Sequence, residues 1–184
     1  MTERLYVIDK EKPDDTAEFV SSDVFREAMS RLGAPVALVT TDGPAGRHGL
    51  TVSALCSVSV DPPTVLVCIN RDSRSHEAFV KNRNVGISIL EPHHESLAFR
   101  FASSKIGQDE KFQSEKWVER PGAAPVLINA SVTLLGRIAQ TLSSGSHDIF
   151  VVHVRDIGLH TEKSSGLVWF DRGFHHLPVR QSVD

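Results

Sequence analysis

The chain has 184 residues, of which 40% are hydrophobic and 23% charged, and its formal net charge at pH 7 is −3. These values are typical of one soluble globular domain, and they exclude the strongly basic proteins whose main partner is nucleic acid. No apolar run approaches the roughly 18 residues of a membrane span, and charged residues interrupt the N-terminal stretch where a signal peptide needs its apolar segment. We therefore expect no membrane association and a cytoplasmic location, with residues 1–20 forming a polar arm outside the core.

The first predicted elements combine helices with strands. Ser22 or Asp23 as N-cap and an apolar stripe from Phe25 to Leu32 at helical spacing predict a helix over 21–33. Further along, the pattern predicts strands over 36–41, 49–60, 64–70 and 85–90, and a short helix over 73–82. Both cysteines, Cys56 and Cys68, fall in apolar strands without metal-ligand spacing, so we expect buried, reduced thiols.

The second half is dominated by strands. A helix over 95–104 is followed by a polar stretch, 104–122, that predicts a long loop or short helical turns, and then by strands over 131–142, 149–160 and 166–177. The later connections are too short for helical crossovers. The sequence therefore predicts a mainly β protein, a closed or nearly closed antiparallel barrel of six or seven strands with a few helices. One domain spans 21–178, followed by a tail over 179–184.

An unusual polar face marks the predicted strand over 49–60. Apolar residues alternate there with hydroxyl side chains, and no Lys, Glu or Arg occurs between His48 and Asp61. Side chains alternate between the two faces of a strand, so one face of this strand carries small hydroxyl groups. The hydroxyl side chains are Thr51, Ser53, Ser57 and Ser59. An ordinary solvent-facing surface would be richer in charge, so this face predicts contact with a polar ligand.

A second polar cluster lies between the strand over 64–70 and the following helix. It consists of Asn70, Arg71, Ser73, Arg74, Ser75 and His76. Guanidinium and hydroxyl groups near a helix start are typical of an anion site, above all for phosphate, although this segment taken alone favours Ser73 or Ser75 as a helix N-cap beside solvated arginines. Taken with the hydroxyl strand, the cluster favours a planar heteroaromatic ligand with a phosphate tail, such as a phosphorylated flavin.

Competing motifs are absent from the sequence. It contains neither GxGxxG nor GxxxxGK[ST] nor GxSxG, and its histidine pairs lack metal-ligand spacing, so we predict no metal site. His147 stands out because it lies in a Gly/Ser turn directly before a strand. It is either a turn residue bonded to its own backbone or a functional residue.

Together these motifs resemble the short-chain flavin reductases of two-component monooxygenases, members of the FMN-binding split-barrel family. The likeness extends from about Phe25 to Phe174 and rests on "VALVTTDG", "GLTVSALCSVSVDPPTVLVCINRDSRSHEAF", "RFASSKIGQDEKF", "GSHDIFVVHV" and "LVWFDRGFHHL". The resemblance implies a six-stranded Greek-key split barrel in a homodimer. It also implies a flavin in contact with Thr51, Val52, Ser53, Ala54, Ser57, Asn70, Arg71, Ser73, Ser75, His76, Arg100 and Phe101.

The resemblance further implies a pocket for the nicotinamide of NADH, formed by Gly145, Ser146, His147 and Phe174. The family pattern there is Gly-Asp-His followed by Gly-Glu-Val, whereas this chain has Gly145-Ser146-His147 and then "VHV" over 152–154. The implied reaction is hydride transfer from NADH to FAD, with FMN as the alternative flavin, and release of reduced flavin to a partner monooxygenase. Because the cofactors supply the chemistry, no residue is assigned a catalytic role.

Two other functions compete with this one. A non-enzymatic flavin carrier or sensor could use the same barrel, since fold does not fix function. An oxidase of phosphorylated amines would need a basic cluster for the substrate phosphate. That cluster could be formed by Arg172, His175, His176 and Arg180.

Overall fold

The computed structural model describes residues 19–160 and 165–179. The helices of this part are α1 (Ser22–Ser30), α2 (His76–Asn82), α3 (Glu95–Ala102), α4 (Gln108–Lys111) and a 3-10 turn (Pro92–His94). The first six strands are β1 (Ala34–Pro35), β2 (Ala37–Thr41), β3 (His48–Val52), β4 (Leu55–Val60), β5 (Pro63–Asn70) and β6 (Asn84–Ile89). The remaining strands are β7 (Trp117–Val118), β8 (Val126–Leu127), β9 (Val132–Ser144), β10 (His147–Leu159), β11 (Gly166–Phe170) and β12 (Gly173–Leu177).

Seven antiparallel strands form the main sheet, in the order β3-β2-β6-β9-β10-β5-β4. One core cluster lies on the inner face of this sheet, where Val39, Val67 and Phe150 pack with Phe79 of α2. The other face is covered by α3, α4 and the small sheet β1-β11-β12, through a second cluster that includes Leu38 and Phe101. The predicted mainly β fold with a few helices is confirmed.

The strand predicted over 49–60 is in fact two strands at opposite edges of the sheet. β3 pairs with β2, and β4 pairs with β5. Between them the chain turns at Ser53, whose carbonyl accepts the N–H of Leu55 at 3.0 Å, and at Ala54, whose carbonyl accepts the N–H of Cys68 at 3.1 Å. The period-2 pattern ran through this turn, so the sequence did not reveal the break.

Closure of the barrel is not observed. Among the described strands, β3 and β4 are the two edges of the main sheet and do not pair with each other. The apolar face predicted for 52–60 is also mostly uncovered, because Val58 and Val60 are exposed and only Val52 is buried. Cys56 is exposed and Cys68 half-buried, so the prediction of two buried thiols was wrong.

Smaller differences concern element ends. The region predicted as a strand over 166–177 is the hairpin β11–β12, with Asp171 and Arg172 at positive φ in its turn. Ser21, and not Ser22 or Asp23, caps α1, because its Oγ accepts the N–H of Val24 at 3.3 Å. The stretch over 104–122 contains α4 and β7, in agreement with short helical turns.

The apolar stripe that predicted the first helix is exposed at Phe25, Met29 and Leu32. The helix ends at Ser30, so Leu32 lies beyond it. The predicted arm lies almost wholly outside the described residues, as do most of the tail and Arg180. No helix among the described residues is long and apolar enough to span a membrane.

Candidate functional site

A cleft of about 580 Å³ opens where the ends of β3 and β5 meet α2, α3 and α4. This volume lies within the range of roughly 300–1,000 Å³ that is usual for small-molecule sites. The cleft is lined by His48, Leu50, Thr51, Asn70, Asp72, Ser73, Arg74, Ser75, Phe101, Ala102, Ser103, Ser104, Ile106, Gln108 and Lys111. It therefore combines apolar side chains, which suit a planar ring, with hydroxyl groups and two cations.

Gln108 and Ser75 connect three elements around the cleft. The Oε1 of Gln108 accepts the N–H of Gly49 at 2.9 Å, and its Nε2 donates to the Oγ of Ser75 at 3.1 Å. Ser75 also donates to the Gly49 carbonyl at 3.4 Å. Because β3 is an edge strand, Gln108 satisfies a backbone N–H that no neighbouring strand can reach. The side chain thus fixes α4 to the edge of β3 and the start of α2.

The two serines predicted as possible N-caps of this helix have different roles. Ser75 is the N-cap residue of α2, but its side chain does not cap the helix and is buried between Gly49 and Gln108. Ser73 has the local role, since its Oγ accepts the N–H of Ser75 at 3.3 Å. Asn70 likewise stabilises the turn by accepting the N–H of Asp72 at 2.9 Å.

Two hydroxyl side chains of the predicted ligand-facing strand are already bonded within the protein. Thr51 donates to the carbonyl of Ala98 at 2.7 Å, which attaches β3 to α3, and Ser59 donates to the carbonyl of Asp61 at 3.0 Å. Ser53 and Ser57 are exposed around the turn to β4, with Val52 and Ala54 beside them. Of this strand's predicted cofactor contacts, only Thr51 lines the cleft.

Three of the four residues predicted to contact nicotinamide lie beside the cleft, at the turn of the β9–β10 hairpin. His147 pairs with Asn70 across β10 and β5, and the N–H of Arg71 donates to the carbonyl of Ser146 at 3.0 Å. The Arg71 guanidinium donates to the carbonyl of Gly145. His147 is exposed. Its Nδ1 lies 2.9 Å from the Oγ of Ser146, which is a side-chain atom and not the backbone partner that a turn role predicted.

A buried acid that the sequence analysis did not identify lies next to His147. Asp148 accepts a hydrogen bond from Ser143 Oγ at 2.7 Å, and its Oδ2 lies 2.7 Å from the Nε2 of His76. The hydrogen bond from Ser143 and then that from His76 hold the pKa of Asp148 below its usual value. His76 therefore faces Asp148 and does not line the cleft. The sequence held one signal for this acid, which is strand alternation. It places Asp148 on the face of β10 opposite His147.

Two predicted residues lie elsewhere. Phe174 packs against Phe99 and Trp169, with ring centroids 4.8 and 5.0 Å apart, in the small sheet. Arg100 approaches the carbonyl of Glu110 at 3.5 Å, whereas its neighbour Phe101 is buried in the cleft wall.

Several cleft residues were not predicted. The polar ones are His48, Asp72, Ser103, Ser104, Gln108 and Lys111. Burial lowers the pKa of His48 and so favours its neutral imidazole. The described residues contain no group of three or more His, Cys, Asp or Glu side chains that could hold a metal ion.

The fold and the cleft define a mainly β protein with a cleft of small-molecule size, lined by apolar side chains, hydroxyl groups and two cations. The chain belongs to the flavin reductase like domain family, whose model matches residues 29–178. The family was predicted from the sequence, and this prediction, including that of a flavin reductase enzyme, is confirmed.

Three proteins illustrate the similarity. The "FMN reductase (NADH) RutF" of Pseudomonas syringae pv. syringae (strain B728a) is 43% identical over 159 residues, which is 86% of this chain and 88% of the relative. The "4-hydroxyphenylacetate 3-monooxygenase reductase component" of Pseudomonas aeruginosa is 39% identical over 83% of this chain and 90% of that protein. The structure of the Streptomyces globisporus C-1027 NADH:FAD oxidoreductase SgcE6 has a TM-score of 0.76 and 26% identity, and covers 86% of this chain and 96% of that one.

Proposed function

We propose that the protein is an NADH-dependent flavin reductase that binds FMN or FAD in the cleft and releases reduced flavin to a partner monooxygenase. The observation that carries the proposal is the cleft itself, which joins an apolar wall to hydroxyl groups and cations. Bound flavin would accept a hydride, and NADH would donate it. The names of the relatives support NADH as reductant and a monooxygenase as recipient.

The residues present fit a flavin nucleotide. Leu50, Phe101 and Ile106 offer apolar surface for a ring system. The side chains of Asn70, Ser73 and Ser75 extend the polar part of the wall, and Arg74 and Lys111 supply positive charge for phosphate. We propose that these residues bind and orient the flavin. Val52, Ser53, Ala54 and Ser57 follow the cleft residue Thr51 in the sequence.

The choice of flavin is part of the proposal. The sequence favoured FAD, but the P. syringae relative is named an FMN reductase and is 43% identical, whereas the structural neighbour named an FAD oxidoreductase is 26% identical. This difference supports FMN as the preferred flavin, with FAD accepted. We further propose that His147, Ser146 and Gly145 contact NADH, since the hairpin that carries them adjoins Asn70 and Arg71.

The two competing functions have less support. A carrier or sensor does not account for relatives that are named reductases. For the amine oxidase, Arg172 binds Glu27 at 2.6 Å and His176 lies 3.2 Å from Glu95. These two basic groups of the β11–β12 hairpin are thus paired with different carboxylates.

We also propose a cytoplasmic homodimer. The dimer is supported by exposed apolar side chains on the edge strand β4 and near the C-terminal ends of β9 and β10. They are Val58, Val60, Leu142, Ile157 and Leu159. Light scattering after size-exclusion chromatography is expected to give twice the chain mass of 20.2 kDa, and a single-chain mass would contradict the dimer.

Steady-state NADH oxidation tests the function. The purified protein is assayed without flavin and with FMN, FAD or riboflavin, and each assay is repeated with NADPH. We expect multiple turnovers that depend on added flavin, fastest with FMN and NADH. Bound flavin without turnover would support the carrier, and neither binding nor turnover would contradict the proposal.

A further inference from the structure

Asp148 attaches the turn of the β9–β10 hairpin to the start of α2 through buried polar contacts. It is the second residue of β10, and only 6% of it is exposed. Its Oδ1 accepts the hydroxyl of Ser143 at 2.7 Å, and its Oδ2 lies 2.7 Å from the Nε2 of His76. Both carboxylate oxygens are therefore engaged inside the protein, and Asp148 does not line the cleft.

His76 is itself held in place by the core. Its side chain is 15% exposed, and its ring centroid lies 5.7 Å from that of Phe150. Phe150 is buried and packs against Phe79 of α2, with ring centroids 6.4 Å apart. The imidazole is therefore a rigid point of attachment for Asp148, since its aromatic neighbour belongs to the core.

The turn next to Asp148 carries the residues proposed to contact NADH. His147 directly precedes Asp148, and adjacent strand residues point to opposite faces, so Asp148 is buried while His147 is exposed. Asp148 also pairs with Ser143 across the hairpin, one pair below the pair of Ser144 and His147 that closes the turn. A shift of Asp148 would therefore move His147 with it.

The two sides of the site differ in the other bonds that support them. On the cleft side, Ser75 is held by Gly49 and Gln108 independently of Asp148. On the hairpin side, besides the strand pairing, the turn is bonded to the polar cluster by Arg71, which is exposed. Loss of the buried carboxylate should therefore loosen the turn more than the cleft.

We propose that Asp148 is a positioning residue for NADH, which holds the turn against His76 and so sets the place of His147 beside the cleft. This inference rests on the proposed function and adds to it a residue that contacts neither flavin nor NADH. A binding group that is fixed before the ligand arrives lowers the cost of ordering it on binding. The effect falls on NADH and not on flavin, because Asp148 supports the hairpin side of the site.

The kinetics and ligand binding of three variants test the assignment. Asp148→Ala removes both contacts, whereas His76→Gln keeps an N–H donor near the place of Nε2. Asp156→Ala is the matched control, because Asp156 is an exposed acid of the same strand. The KM for NADH and kcat are measured with saturating FMN, and the Kd of FMN is measured by fluorescence quenching without NADH. The Kd of NAD+ is measured by calorimetry with FMN-loaded protein, where both ligands are oxidised and no turnover occurs.

The expected result is a selective loss of nucleotide binding. Asp148→Ala should raise the KM for NADH and the Kd of NAD+ by about 5- to 10-fold, with kcat and the Kd of FMN changed by less than about 2-fold. His76→Gln and Asp156→Ala should keep all four constants within about 2-fold of the wild type. Glutamine restores a hydrogen bond to the carboxylate but not the aromatic ring beside Phe150, so this variant separates positioning from packing.

Three outcomes would overturn the inference. Unchanged constants for NADH and NAD+ in Asp148→Ala would mean that the turn keeps its place without the carboxylate. Equal weakening of FMN would mean that Asp148 supports the whole site and not the hairpin side. Equal losses in His76→Gln and Asp148→Ala would assign the effect to packing around the imidazole.

Two further measurements keep the test decisive. If Asp148→Ala does not fold, Ser143→Ala removes one of the two contacts and should raise the KM for NADH by about 2- to 3-fold, and an unchanged KM would overturn the inference. Wild-type turnover is measured separately. A wild-type protein that binds FMN and NAD+ without oxidising NADH would contradict the proposed function and leave the binding test of Asp148 valid.

Discussion

The Nε2 of His76 lies 2.7 Å from the Oδ2 of Asp148, and this contact joins the first turn of α2 to the second residue of β10. Asp148 is buried, and Ser143 bonds its other carboxylate oxygen at 2.7 Å. The contact connects the end of the polar cluster over 70–76 to the hairpin proposed to contact NADH. One carboxylate therefore joins the two sides of the site.

Replacing Asp148 by Asn is expected to lower the Tm, because the amide cannot supply the negative charge that His76 and Ser143 bind. The folded-state pKa of Asp148 is lowered, so its stabilising contribution is present above the unfolded value of 3.8 and is lost as the pH falls below it. Thermal unfolding should therefore show that the difference between the variant and the wild type shrinks in strong acid. Asp156→Asn is the control, since its pair with Arg120 is largely exposed and contributes little. A Tm for Asp148→Asn equal to that of the control would show that the contact does not stabilise the fold.

Gln108→Ala is expected to weaken flavin binding. The change removes the bonds to Gly49 and Ser75, each worth about 1 kcal/mol, and so releases α4 from the cleft. We expect the KM for FMN to rise by roughly 5- to 10-fold with a smaller change in kcat. Gln113→Ala serves as the control because Gln113 is exposed and does not line the cleft. Equal kinetics for the two variants would mean that Gln108 does not position the site.

His147→Ala is expected to raise the KM for NADH several-fold while the Kd of FMN changes little. The imidazole is exposed on the hairpin and lies outside the cleft lining, so its loss should affect NADH more than flavin. Steady-state kinetics with varied NADH and flavin titration without NADH give the two constants. His160→Ala, at another exposed position, provides the control. The reverse pattern, with flavin weakened more than NADH, would remove His147 from the proposed NADH site.

Acid is expected to destabilise the protein through His94. Burial, followed by the charge of His93, lowers the pKa of His94 from 6.5 to about 4. The unfolded chain therefore binds a proton near pH 6.5 that the folded protein binds only near pH 4, and stability falls across this window as the pH decreases. The full difference corresponds to roughly 3 kcal/mol. Urea unfolding between these pH values should show a shallower decline for His94→Gln, which does not titrate. Exposed His153→Gln is the control, and an unchanged slope in His94→Gln would contradict the assignment.

Gly49→Ala is expected to destabilise the wall of the cleft. A Cβ at this position would lie 2.7 Å from Cε1 of Phe101 and 3.0 Å from Cζ of Phe112. Both rings are buried, so the crowding should cost about 1–3 kcal/mol in the free energy of unfolding. Gly107→Ala is the matched control, because no atom lies within 4 Å of the added Cβ. Denaturant unfolding of the two variants checks the prediction, and equal stability would mean that the rings move aside without cost.

Some features could be read from local patterns in the chain. The alternation of apolar residues predicted most strands of the main sheet, and the serine cluster placed a polar site at Asn70, Ser73 and Ser75, which all line the cleft. Local patterns did not show that Ser75 would bond Gly49 and Gln108, because those partners are 26 and 33 residues away. The same limit concealed the break after Val52, since alternation continued from β3 into β4.

The sequence by itself determined the family, the mainly β class and part of the cleft, because these depend on residue types at short and regular spacing. Only the tertiary structure decided which polar groups face the cleft. Thr51 is bonded to α3, His76 faces Asp148, and Lys111 is buried without a carboxylate partner among the described residues. The physical reason is that hydrogen bonding and burial depend on contacts between segments far apart in the chain. A side chain's type restricts what it can bind, but its neighbours in the fold determine what it does bind.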